Sequence, residues 1–221
     1  MDKKKTESRK IHSVFCALLF LLAANAASAA MLTVELQDQN GLPVSAAVVS
    51  LTRDIDQTSA LPPATAIMAQ QGQEFVPRVL AIARGGSVQF TNRDDTKHHV
   101  YSFSAPKPFE IPLFGRNEKP AVVFDQPGVV NIGCNIHDSM RSFVIVLDTQ
   151  HFAVSGDDGV AIVDLGDATS GELNIWHERM ASPFQPEPLL SAALSEKQVR
   201  TLTLKAPPKP LRRGLEAWKK P

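Results

Sequence analysis

Seven consecutive residues, Cys134, Asn135, Ile136, His137, Asp138, Ser139 and Met140, offer a thiolate, an imidazole and a thioether. Two more imidazoles, His98 and His99, lie upstream, directly after Asn92, Arg93, Asp94, Asp95, Thr96 and Lys97. One Cys, two His and one Met make the donor set of a trigonal copper centre, with two imidazoles and a thiolate in the plane and a weak axial thioether. Soft sulfur favours copper, whereas closed structural zinc sites are built from Cys and His without Met. Cys-x-x-His alone is a weak signal. The Met three residues further on and a His ahead of a strand make it stronger. The competing reading is a buried free cysteine, a surface histidine and a core methionine.

The chain's address bears on the same cysteine. Lys3, Lys4, Lys5, Arg9 and Lys10 precede an apolar run over 14–24, and Ala27, Ser28 and Ala29 follow with small side chains. That is the pattern of a secretory signal peptide over 1–30, cleaved near Ala29 and Ala30, with export to the periplasm as the expected address. Cys16 lies inside the apolar run and is not read as a lipid acceptor; an uncleaved anchor is the alternative. No later segment is apolar enough to span a membrane. Cleavage leaves 18 Lys and Arg against 21 Asp and Glu, which points to no nucleic-acid or anionic-membrane partner. It also leaves Cys134 as the one cysteine. An unpaired thiol in an oxidising compartment is a liability unless something occupies it, and a metal would.

The elements that must position these donors read as β-strands. Residues 32–36 alternate with period two, a turn follows at Gln39, Asn40 and Gly41, and 46–51 continue as a strand. Residues 54–66 and 106–119 read as loops. Residues 75–82, 87–90, 99–103, 122–124, 129–132 and 142–147 read as strands, so Cys134 ends one strand and Met140 precedes the next. Beyond them, 152–155, 160–163, 171–176 and 199–204 are strand-like, 182–188 reads as a Pro-rich linker, and 206–221 is a basic, Pro-rich tail. Short strands with Gly, Pro and Asn turns imply all-β sandwiches rather than a parallel sheet.

The ligand segment resembles the cupredoxin family. Cys-x-x-His-x-x-Met is similar to the short ligand loop of the amicyanins, and Asn92 and Arg93 through His98, followed by Val100, resemble their upstream ligand segment. Closer still is a bacterial group named methylamine utilisation proteins, through Phe75, Val76 and Pro77, the run 98–104, Pro127 to Val130, and Gly133 to Asp138. That name records genomic company. The resemblance covers roughly 66–148. The flanks, 39–44 and 157–177, are similar to carboxypeptidase-regulatory or transthyretin-like sandwiches. The implied architecture is a cupredoxin Greek-key β-sandwich over 66–148, with a second small transthyretin-like β-sandwich from 31–65 and 149–205. The resemblance places one type-1 copper ion on His98, Cys134, His137 and Met140. Period two lets only one of His98 and His99 face a metal. His99 stands where cupredoxins commonly carry an Asn that bonds to the ligand loop. It could replace that bond, lie on the opposite face or serve as an alternate ligand; Asn135 is the other residue placed to support the site. Ser139 stands where the related proteins often have Trp.

The other candidates read as structural. His151 and His177 are isolated, Asp94, Asp95, Asp157 and Asp158 sit at turns, Trp176 reads as core of the flanking sandwich, and Met31, Met68 and Met180 lack ligand spacing. Neither a Ser-His-Asp set nor paired carboxylates are suggested, so the expectation is an electron carrier rather than an enzyme, with transient periplasmic redox proteins as partners. The alternatives are a copper-handling protein with exchangeable metal, and a partner-binding module in which the metal is structural.

Overall fold

The computed structural model describes residues 30–53, 64–182 and 185–206. The expected signal peptide, most of the 54–66 loop and nearly all of the 206–221 tail lie outside the described residues. The regular structure of the described chain is nearly all β-strand, its only helical element being a single turn, Ser191–Leu194. None of its helices is long and apolar enough to cross a membrane.

Four sheets form two sandwiches. The flanking sandwich uses both ends of the chain: β1 (Met31–Asp38), β2 (Val48–Thr52), β12 (Phe152–Val154), β13 (Val160–Asp164), β14 (Ser170–Trp176), β15 (Glu187–Leu190) and β16 (Gln198–Leu202). Its sheets run β13-β1-β16 and β12-β2-β14-β15. β1 alternates because one face is core: Leu32, Val34 and Leu36 are fully buried between less buried neighbours. At its end the Asp38 carboxylate accepts the backbone N–H groups of Asn40 and Leu42, and Gly41 takes φ 77°.

The metal-side sandwich is the uninterrupted middle of the chain. β3 (Thr65–Gln71), β4 (Glu74–Val76), β6 (Ser87–Asn92) and β9 (Ala121–Val123) form a sheet ordered β4-β3-β6-β9. β5 (Val79–Ala83), β7 (His98–Ser102), β8 (Phe109–Phe114), β10 (Gly128–Gly133) and β11 (Arg141–Leu147) form the facing sheet, ordered β5-β11-β10-β7-β8.

Two strands are buried without alternation, and the reason is the junction. β2 turns Val49 and Leu51 into the flanking core and Val48 outward, where it meets Val79 and Ile145. β11 turns Val144 and Val146 into the metal-side core and Ile145 and Phe143 outward. Phe143 lies against Trp176 at 5.2 Å between ring centroids. Trp176 therefore packs in the junction, not in the flanking core as its sequence context suggests. Arg78 crosses the junction: it donates to Glu178 at 3.0 and 2.6 Å and covers the Phe143 ring.

Four local expectations change. β3 occupies residues that carry no strand signal, because its partners β4 and β6 lie on both sides of it. Residues 75–82 are not one strand; Pro77, which has no N–H to donate, separates β4 from β5, and the two enter different sheets. The 106–119 loop contains β8, which tolerates Pro112 as the sheet's outer strand. The 182–188 linker runs into β15, paired with β14.

Candidate metal centre

β10 and β11 are antiparallel, with Gly133 opposite Arg141, so 134–140 is a seven-residue loop between paired strands. Two backbone bonds tighten it: Cys134 N–H donates to Met140 O at 3.3 Å, and Met140 N–H to His137 O at 3.0 Å. His98 opens β7 from the neighbouring strand, with a register irregularity between His98 and Val100. The pleat of β7 buries His98, Val100 and Ser102 and turns His99 and Tyr101 to the other face.

Three donors meet at one place. Cys134 Sγ lies 3.8 Å from His98 Nδ1 and 3.9 Å from His137 Nδ1, and all three atoms fall within 4.8 Å of one another. Cys134 is 3% exposed and its thiol is free. Bonds of about 2.0–2.3 Å from a first-row metal to imidazole and thiolate, spread at trigonal angles, separate neighbouring donor atoms by about 3.8 Å. The two sulfur–nitrogen separations therefore fit a trigonal ion. Met140 is 1% exposed and lines the same groove as Cys134.

Asp94 fixes the orientation of His98, a role not evident from its turn context alone. Its carboxylate is 2.9 Å from His98 Nε2 and accepts the N–H groups of Gly72 and Gln73 at 2.7 and 3.0 Å. Burial raises the Asp94 pKa, but those two backbone donors and His98 outweigh it and hold the carboxyl below its ordinary value. An ionised Asp94 can only accept, so His98 Nε2 carries a proton, and in the neutral ring that leaves the Nδ1 lone pair towards Cys134. Metal-bound histidines commonly hold such a carboxylate on the second ring nitrogen, and a carboxylate four residues before a ligand candidate is the signal that points to it.

The remaining candidates lie elsewhere. His99 Nε2 is 2.8 Å from Glu110, and its ring packs on Tyr101 on the outer face of the sheet. Asn135 is exposed on the rim of a surface groove that Tyr101, Phe103, Cys134, Met140 and Phe143 also line. His151 donates from Nδ1 to Asp164 O at 2.8 Å, and His177 Nδ1 accepts Arg179 N–H at 3.2 Å. Both lie in the flanking half, His151 just before β12 and His177 just after β14.

No protein-family model matches the chain, and no curated protein does. Solved structures match parts of it. A copper-containing nitrite reductase from Thermus scotoductus is 27% identical over 44% of this chain, with a TM-score of 0.37, and the match spans 25% of the reductase chain. A purple cupredoxin from Nitrosopumilus maritimus is 23% identical over 37% of this chain and 99% of its own, with a TM-score of 0.34. A reduced, Cu(I) form of an amicyanin variant is 16% identical over 45% of this chain and 98% of its own, with a TM-score of 0.36.

Proposed function

We propose that the protein is an exported, periplasmic type-1 copper protein that carries single electrons between redox partners. Residues 66–148 hold one copper ion on His98, Cys134, His137 and Met140, and 31–65 with 149–205 form the flanking sandwich. The observation that carries this reading is a buried, unpaired thiol with an imidazole nitrogen on each of two sides at trigonal spacing.

Copper bound there supplies one-electron chemistry by cycling between Cu(I) and Cu(II). The chain's own residues do the rest. Cys134 gives up its proton to bind as thiolate. Asp94 keeps the proton of His98 on Nε2, so Nδ1 is free to bind. Met140 brings a weak thioether from a buried side chain. The loop's two backbone bonds and its flanking strands hold the donors in place through a change of charge, which keeps reorganisation small. His137 is only half-buried, and Ile136 beside it is 43% exposed. That edge is where a partner approaches the centre.

The test is the visible absorption and EPR spectrum of the copper-loaded mature chain. An intense thiolate-to-copper band is expected. A pale, readily exchanged copper complex would instead favour a copper-handling role.

A further inference from the structure

Gln70 is a buried polar side chain that the core does not explain. It is 0% exposed, and among the described residues neither its Oε1 nor its Nε2 has a hydrogen-bond partner. A primary amide has two donor hydrogens and two acceptor lone pairs, and burying it dry is costly.

Its place in the fold points to the metal centre. Gln70 is paired in β3 with Asn92, the last residue of β6, from which the chain runs through Asp94 to His98. Its carbonyl accepts Arg93 N–H, and the hairpin just after it supplies the Gly72 and Gln73 N–H groups that hold Asp94. Across the sandwich, Ser142 Oγ lies 3.5 Å from Met68 Sδ, which sets the level of β3 against β11. Residues two apart on a strand share a face. One step nearer the ligand loop, the inward residues of these two segments are Gln70 and Met140, both fully buried.

We propose that Gln70 Oε1 is a further weak donor to the ion that His98, Cys134 and His137 would hold, beside Met140 Sδ. This inference rests on the copper reading above. An amide oxygen is an accepted donor for the long axial position of a trigonal copper site. It is harder than a thioether and favours Cu(II), so Gln70 lowers the reduction potential that Met140 alone would set. The unpartnered amide of the metal-free protein is then a group held ready for the ion.

The experiment compares Gln70→Leu, Met140→Leu and the double variant in the full chain. It reads the Cu(II) EPR and visible spectra, the reduction potential, and the denaturation midpoint of the metal-free protein. Gln70→Leu is expected to raise the metal-free midpoint, because an apolar group of similar size replaces a dry amide. Its copper form is expected to show a higher potential and an altered EPR symmetry. Met140→Leu should keep the signature of an axial oxygen, and the double variant should lose it, so the two effects are not additive. Gln70→Met, which keeps an unbranched side chain, should also raise the potential and serves if the Leu variant folds poorly. Spectra and potentials unchanged by Gln70→Leu, alone and beside Met140→Leu, would overturn the proposal. So would a lower metal-free midpoint, because it would mean the amide already has a partner. The wild-type spectrum judges the copper reading; only the difference between wild type and Gln70 variants judges this one.

Discussion

The two sandwiches bury different chemistry. The flanking core is aliphatic throughout: Leu, Val, Ile and Ala from both ends of the chain. The metal-side core contains Phe75, Phe90, Phe114 and Phe124, with Met68, Met140 and Cys134. Their buried polar groups differ more. In the flanking half, Ser155 donates to Val44 O and accepts Ala47 N–H, Thr149 donates to Leu51 O, and His151 donates to Asp164 O. Each of these ties a side chain to backbone distant in the chain. In the metal-side half, His98 and Cys134 face one another, and Gln70 faces no fixed partner. Asn92 and Ser142 tie backbone in the metal-side half too, but only there does a buried thiol face two imidazoles.

Four substitutions test that division, starting with the largest effect. Cys134→Ser is expected to abolish the intense visible band and reduce copper affinity by orders of magnitude, because a hydroxyl does not replace a thiolate. Titration of the metal-free variant with copper, followed by absorption and EPR, reads this directly; an unchanged band would end the type-1 assignment. Leu36→Ala removes a fully buried side chain from the flanking core. It should cost about 2–5 kcal/mol of stability by denaturant titration, with the copper spectrum unaltered. A shifted spectrum would show that the halves are not separable in this way.

Asp94→Ala should weaken copper binding by about 10–100-fold, as removal of a carboxylate behind a ligand imidazole does, while the flanking half keeps its stability. Competition with a chelator of known affinity measures it. His177→Gln should have the smallest effect. Burial lowers the pKa of His177 in the native chain. The unfolded chain then binds the proton more readily, so native stability is retained above the ordinary histidine range of about 6.5 and falls as pH drops below it. The variant should flatten that part of the stability profile between neutral and mildly acid pH. Equal slopes in variant and wild type would remove His177 from the account.

Where local pattern decides, the fold was readable. Strict alternation in 32–36 marks β1, and alternation also dictates that neighbouring His98 and His99 face opposite ways. The 134–140 loop was readable because Cys134 and Met140 are bounded by strong strand signals. What depends on distant pairing was not. β3 takes its strand state from Ser87 to Asn92 beside it. Asp94 looks like any turn aspartate until a hairpin about 20 residues earlier in the chain delivers two N–H groups to it. Trp176 reads as core from its own strand, and only the outward face of β11 shows that it is junction. Gln70 has an ordinary polar identity; its burial is a property of the closed sandwich.

β1 finds its neighbours late. Its antiparallel partner begins at Val160, and its parallel partner β16 at Gln198. Chain growth from the N-terminus therefore produces β1 and β2 first and leaves them without a sheet while the whole metal-side half is made. That half has all its strands once Leu147 is available, well before the flanking sandwich can close. During this interval Phe143 lacks Trp176, and Val79 and Ile145 lack the sheet-held β2 that covers them in the finished fold, beside the outer edge of β5. The vulnerable species is thus a finished metal-side half waiting for the last strands, and its hazard is sticking to other chains rather than misreading its own ligands.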